Sequence, residues 1–500
     1  MSKTPFIPSR RWLLAGLAAS AADMALASPP TVSLRPMPRP GGSGGRLYPS
    51  AQSLVERAKL GSAKVGFVVA DAATGTVLEA MNPLLQLPPA SVAKALTALY
   101  GLECLGPDHR FATRILATGP VEGGMIKGDL VLAGSGDPTL DTDRLAELAK
   151  LLKAAGVSGV EGDFLAWDGA LPRIDTIDPE QPDQVGYNPA LSGLNLNFNR
   201  VHFEWRRNGS GWNVAMDARS ARYRPDVRVA RMEIVRRKYP IYTYEDGGET
   251  DRWTVASGAL GQDGSRWLPV RKPTLYTAEV FQILARAEGI ALPAAVPVRT
   301  LPSGAEIARV ESDELRPILK DMLKYSTNVT AEAIGLAATA HSTAIPKSLA
   351  GSAGEMSGWI GGQIDSVRPA LVDHSGLGGA SRINARDMAR ALVRLGPGQN
   401  LEPLLKPIRM KDEKGRPIEN HPVTVLAKTG TLNFVSALAG YAIQPDGRRL
   451  AFATFVADPP RRDAIPREQR ERPEGVRSWT ARARTLQLRL IDRWSNVHTA

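Results

Sequence analysis

The sequence predicts an α/β protein in which one domain is built from both ends of the chain and a large mixed α/β segment is inserted between them. Two observations carry this expectation. Near the start, Lys64–Asp71 and 76–80 read as two strands joined by the turn Ala72-Ala73-Thr74-Gly75. Near the end, Val435–Ile443 and 450–457 form a similar pair around Pro445-Asp446-Gly447, followed by a helix with Trp479, Ala483, Leu486, Leu490 and Trp494 on one face. Strands and helices at both ends, with something else between, point to a discontinuous domain. The boundaries drawn are 49–104 and 316–500 for that domain and 105–315 for the insert.

The elements follow in order. Residues 1–27 have the build of an export signal. Lys3, Arg10 and Arg11 are basic, Trp12 to Ala19 is apolar, and Ala25-Leu26-Ala27 supplies a small-residue cleavage site. Ser9-Arg10-Arg11-Trp12-Leu13-Leu14 resembles a twin-arginine signal, and general secretion is the alternative. The apolar run is too short, and too interrupted by Asp23, to remain as a membrane span. Cleavage after Ala27 removes three positive charges and one negative, taking the net charge from +11 to +9. Residues 28–48 are rich in Pro, Gly and Ser and read as a flexible leader. Residues 50–60 have helical spacing. After the first strand pair, Pro88-Pro89 stops the chain and an apolar helix starts at Ser91. In the insert, 129–133, 143–154 and 160–167 read as one β-α-β unit. Beyond 200 the pattern turns to short strands, such as 201–205 and 213–216, and a helix over 278–288 closes the region. An amphipathic helix over 315–323 returns the chain to the outer domain.

Composition bounds the function. With 43% hydrophobic and 23% charged residues in 500, the chain is globular and long enough for two or three domains. Its one cysteine, Cys104, excludes an internal disulfide framework and a multi-cysteine metal site, and reads as a free buried thiol. The basic charge fits an anionic cell-wall or membrane environment as well as nucleic acid. No zinc-finger spacing, long basic run or H-E-x-x-H occurs, so neither nucleic acid nor a metal is expected. Gly134-Ser135-Gly136-Asp137 lacks the frame of a phosphate-binding loop.

Ser91 and Lys94 stand three residues apart at the start of a helix, on one face. A serine hydroxyl is a poor nucleophile until a neighbouring base takes its proton, and a desolvated lysine is such a base. Alone, S-x-x-K is expected by chance in a chain of this length and equally describes a capping serine with a solvated lysine. Two further motifs change the weighing: Ser326-Thr327-Asn328, 235 residues on, and Lys428-Thr429-Gly430, another 102 residues on. Each of S-x-x-K, S-x-N and K-T-G occurs once, in that order, with K-T-G just before a strand. This ordered trio is the signature of penicillin-interacting serine enzymes.

With those residues the sequence resembles the D-alanyl-D-alanine carboxypeptidase/endopeptidase family of penicillin-binding protein 4 type, peptidase family S13. The resemblance covers most of 50–457. It extends to Gly134-Ser135-Gly136-Asp137-Pro138-Thr139-Leu140, to 319–324, to Asp373-His374-Ser375-Gly376-Leu377 and to Lys428-Thr429-Gly430-Thr431-Leu432. It departs at His374, where the family usually has glycine, and at the extra residues Gly378 to Ala380; a loop histidine without a role is expected. The resemblance implies a β-lactamase/transpeptidase-like domain, an antiparallel sheet with helices, whose insert holds two nested smaller domains. It implies acyl transfer to Ser91 with Lys94 as base, its pKa held down by burial and by Lys428. Ser326 would pass a proton to the leaving amine and Asn328 would hold Lys94 and the substrate amide. Lys428, Thr429 and Thr431 would take a carboxylate, with Gly430 permitting close approach, and the N–H groups of Ser91 and Thr431 would form the oxyanion site. Asp183 falls near the family's acidic residue for a substrate amine. No cofactor or metal is implied. The partners implied are peptidoglycan and, as inhibitors, β-lactams, in the periplasm. The alternatives are a β-lactamase, against which no E-x-x-L-N follows Asn328, and a catalytically silent wall-binding homologue.

Overall fold

The computed structural model describes residues 48–366, 369–398, 400–412 and 415–498; the export signal and nearly all of the leader lie outside them. From Pro49 onward the described residues form one compact unit. Its centre is a six-stranded antiparallel sheet in the order Lys406–Pro407, Thr424–Leu432, Val435–Ile443, Arg449–Ala457, Lys64–Asp71, Val77–Met81. The two ends of the sequence meet inside it: Lys64 pairs with Ala457 and Asp71 with Leu450. The predicted strands are therefore present within a residue or two of their expected ends.

Both faces of the sheet are covered, which is why Val435–Ile443 is an almost unbroken apolar run rather than an alternating one. Leu438 and Ala442 face the last helix, Val476–Val497, whose Trp479, Ala483, Leu486, Leu490 and Trp494 are all buried, as the spacing predicts. Burying each of the larger ones contributes on the order of 2 kcal/mol. Ala437, Ala439 and Tyr441 face the opposite layer, which is built on the helix Ala93–Leu105 and closed by Leu315–Tyr325, Asn328–Ser342, Leu349–Ile364 and Ala385–Arg394. Cys104, near the end of the first of these, is free but only partly buried, less enclosed than the sequence reading has it.

The insert leaves and re-enters through adjacent strands. Ala112–Ala117 pairs antiparallel with Ala305–Glu311, Glu311 opposite Ala112, so nearly two hundred residues hang from one point of the outer domain. These strands form one side of a five-stranded sheet ordered Ala295–Val298, Phe164–Trp167, Leu130–Gly134, Ala112–Ala117, Ala305–Glu311. Leu130–Gly134 and Phe164–Trp167 are parallel, joined by the helix Thr142–Ala154, and make the predicted β-α-β unit. Asp141 caps that helix by accepting from the Arg144 amide. Two details differ from expectation. The strand read over 160–167 is broken at Glu161-Gly162-Asp163 into Gly159–Val160 and Phe164–Trp167, and the helix read from 278 starts at Pro273, a residue suited to a first turn. The loop 170–199 then runs back to the outer domain, where Leu171, Ile177 and Leu191 pack on Val329, Ala333 and Leu336.

Candidate active site

Ser91 sits on a single 3-10 turn, Ala90–Val92, directly ahead of the helix Ala93–Leu105. Pro88-Pro89 ends the preceding chain, and Ala90 takes a left-handed φ of 46°, which an alanine holds only under constraint from its surroundings. Two glycines make room for that constraint. A Cβ on Gly430 would stand 2.6 Å from the Pro89 carbonyl oxygen, and one on Gly376 1.9 Å from that of Ala90. The serine turn is thus clasped between the Lys-Thr-Gly strand and the loop 373–378.

Lys94, one turn on, is fully buried. Its Nζ donates to Ser91 Oγ at 3.2 Å, to Asn328 Oδ1 at 2.8 Å and to the Ser375 carbonyl at 2.8 Å. All three ammonium protons are therefore placed. When one is lost, the two shorter bonds keep the amine in position and the longer one reverses, the Ser91 hydroxyl donating to the nitrogen lone pair. Burial pushes the Lys94 amine down to about 8, while Glu332 and Asp373 pull it upward. This corrects the sequence reading, which assigns part of the depression to Lys428. Lys428 carries the larger shift itself, down to about 6, through burial and then through the charges of Lys94 and Lys406.

Lys428 Nζ donates to Ser326 Oγ at 2.9 Å and to the Thr429 carbonyl at 2.9 Å. Ser326 ends the helix Leu315–Tyr325 in left-handed conformation, φ 62°, and Asn328 begins the next helix two residues later. S-x-N therefore straddles a helix junction, which aims hydroxyl and amide at the two lysines from one side. Asn328 also donates through Nδ2 to the Tyr187 carbonyl at 2.9 Å, tying the insert loop to the site. The strand bearing Lys428 is not wholly an edge: Lys406–Pro407 pairs with Ala427 and Leu426, leaving the stretch beyond Lys428 open.

Beneath the lysine lies a layer that no motif announces. Glu332, fully buried on the helix of Asn328, accepts from the amides of His374 and Ser375, each at 2.9 Å. Asp373 accepts from Gly376 and Gly378. Burial pushes Glu332 up to about 8, helped by Asp373, and Asp373 up to about 6. The two carboxyls fix the loop whose Ser375 carbonyl meets Lys94. His374 is not a loop histidine without a role. Its ring is fully buried, Nε2 lies 2.8 Å from Ser352 Oγ, and burial pushes its pKa down to about 3, so it is neutral. It fills the space left by Gly335, where a Cβ would stand 2.1 Å from its Cγ.

A cavity of about 310 Å³ opens on Ser91 and is bordered by Ser326, Asn328, Thr431, Tyr187, Arg462 and Glu471. Among the described residues no His, Cys, Asp and Glu cluster has the make-up to hold a metal ion. The arrangement is a nucleophile, a buried amine in contact with it and a second hydroxyl–amine pair, the equipment for acyl transfer.

The model of the D-Ala-D-Ala carboxypeptidase 3 (S13) family matches residues 50–482. The chain belongs to this family. It is a serine-type D-Ala-D-Ala carboxypeptidase, a hydrolase. It is 27% identical over 439 residues to a D-alanyl-D-alanine carboxypeptidase of Actinomadura sp. (strain R39), covering 81% of this chain and 80% of that one. To the D-alanyl-D-alanine carboxypeptidase DacB of Haemophilus influenzae it is 24% identical over 418 residues, 78% and 85% of the two chains. The crystal structure of penicillin binding protein 4 (dacB) from Haemophilus influenzae superposes with a TM-score of 0.73 at 19% identity, covering 90% of this chain and 99% of that one, so the fold is shared.

Within this S13 chain, Ser91, Lys94, Ser326, Asn328 and Lys428 come together, and Gly430 and Thr431 adjoin them, with Thr429 half-buried beside Lys428. Asp183 does not join them. It borders a separate cavity of about 770 Å³ with Tyr242 and Arg467, and its carboxylate is held by Arg467 at 2.7 Å. In this structure the carboxylate is in a half-exposed ion pair and does not border the cavity that opens on Ser91. The sequence reading misses Glu332, although its i, i+4 relation to Asn328 puts both on one helix face. It also misses Arg484, which reaches Thr431 from the last helix.

Proposed function

We propose that the chain hydrolyses the amide bond between two D-amino acids, at stem-peptide ends and at cross-links of peptidoglycan, through an acyl-enzyme on Ser91. One observation carries this: the buried Lys94 amine, its pKa lowered to about 8, touches the Ser91 hydroxyl. Ser91 Oγ attacks the carbonyl carbon as Lys94 Nζ takes its proton. The amide C–N bond then breaks, and the leaving amine receives a proton through Ser326, which Lys428 holds. Water cleaves the resulting ester, returning the serine and releasing a carboxylic acid. Asn328 keeps Lys94 in place. Lys428, Thr429 and Thr431 receive a substrate carboxylate beside Gly430, and the N–H groups of Ser91 and Thr431 hold the oxyanion, a contribution of roughly 10²–10³ in rate. β-Lactams acylate the same serine and leave slowly. The export signal read in residues 1–27 supports the periplasm as the place of this work.

The test is a time course of labelling by a fluorescent penicillin, beside Ser91→Ala. Stable one-to-one label that is absent from the variant is the expected result. Rapid loss of label with penicillin destroyed would make the protein a β-lactamase. No label on the folded wild type would leave a silent wall-binding homologue.

A further inference from the structure

Two basic side chains that the acyl transfer does not use stand beside the strand of Lys428. Arg484, exposed on the helix Val476–Val497, reaches over and donates from Nη2 to the Thr431 hydroxyl at 3.0 Å. Lys406 lies on the short strand paired with Ala427, its amine held down by burial and by the charge of Arg484. Lys428 in turn feels Lys406. Among the described residues no carboxylate ion-pairs with any of the three, whereas Arg493 on the same helix pairs with Glu79, and Arg467 and Arg470 with Asp183 and Glu180. A guanidinium has five donors in a planar fork, and Thr431 takes one. Thr431 also borders the cavity that opens on Ser91. An anion seated against Thr431 from that cavity meets Arg484 next.

We propose that Arg484 is a specificity residue: it reads whether the α-carboxylate of the leaving D-residue is free and disfavours substrates in which that group is amidated. The proposal rests on the peptidase reading given above and adds a residue to it. A carboxylate offers two oxygens and a charge to the guanidinium fork, whereas a carboxamide offers one oxygen and no charge. The preference applies alike to a terminal D-alanine and to a cross-linked D-centre, since both carry a carboxylate next to the scissile amide.

The experiment compares wild type, R484K and R484A on an N-acylated peptide ending in D-Ala-D-Ala and on its C-terminal amide, taking the ratio of kcat/KM for acid over amide. Melting temperatures of the three proteins check that the surface substitution leaves the fold alone. The ratio is expected to fall about tenfold in R484A, with R484K between, because a lysine supplies the charge without the fork. The ratio of labelling rates for penicillin over its methyl ester should fall in the same way. A ratio that stays at the wild-type value overturns the proposal, including the case where Arg484 only props Thr431 and both substrates slow alike. A wild type that cleaves neither peptide and takes no penicillin label overturns the peptidase reading, and this proposal with it. A labelled, active wild type with a ratio blind to Arg484 rejects the proposal alone.

Discussion

Replacing Gly335 by alanine should destabilise the protein through a single side chain, His374. The added methyl would stand 2.1 Å from His374 Cγ, 2.2 Å from Nδ1 and 2.4 Å from Cδ2, where ordinary contacts begin near 3.4 Å. The ring has nowhere to go. It is fully buried, its Nε2 is engaged by Ser352 at 2.8 Å, and its own amide is held by Glu332 at 2.9 Å. Overpacking of a core position costs about 1–3 kcal/mol, and losing one buried hydrogen bond about 1–3 kcal/mol more. Alanine in a helix interior returns up to about 1 kcal/mol. The net expectation is a loss of about 1–5 kcal/mol in urea denaturation. Because the clash is with one ring, it should vanish when the ring is removed. His374→Gly alone leaves a cavity, and the methyl introduced at position 335 then occupies part of it. The double variant should be more stable than the sum of the single losses by more than about 1 kcal/mol. Gly335→Ala as stable as wild type, or strictly additive effects, would refute the reasoning.

Three further outcomes are expected. The rate of penicillin labelling should rise about tenfold per pH unit up to about pH 8 and then level off, since Lys94 must lose its proton to act as base. Glu332→Gln removes a charge that favours the ammonium, so the break should move to lower pH; a flat profile, or a move upward, contradicts the assignment. Gly430→Ala drives a methyl to within 2.6 Å of the Pro89 carbonyl and parts the strand from the serine turn. Labelling should slow by about 10² while circular dichroism is kept, and undiminished labelling would sink the clasp. Asp183→Asn breaks only a half-exposed ion pair, so peptide hydrolysis should change by less than about fivefold, the equivalent of about 1 kcal/mol. A larger fall in kcat/KM would return Asp183 to the site.

What the sequence made legible has a physical pattern. The strands of the central sheet announce themselves as apolar runs of strand length between turn residues, because both faces are covered, and the Trp479–Trp494 face announces itself by a period of about 3.6. The helices Asn328–Ser342 and Leu349–Ile364 are rich in Ala and Gly, and Asn328–Ser342 is buried nearly all round, so they carry little periodic signal and escape notice. The same holds for the site. Ser91, Lys94, Ser326, Asn328 and Lys428 are visible because local spacing governs what each does. Glu332, His374 and Arg484 act only through contacts with distant segments, which spacing does not encode. Asp183 shows the converse. Its place in the chain looked right, but a partner 284 residues away claims its carboxylate.

The sheet that joins Lys64 to Ala457 also sets a timetable for synthesis. Ser91 leaves the ribosome early, yet the strand that clasps its turn ends only at Leu432, and the strand that anchors the first hairpin at Ala457, 366 residues after the serine. At about 5–20 residues per second, the nucleophile waits roughly 20–70 s for the rest of its site. During that time the chain has the serine and lysine but neither the second lysine nor the sheet to hold them. A nascent or prematurely ended chain is therefore inert by construction, and cleavage of D,D bonds becomes available only to molecules finished to their last strands.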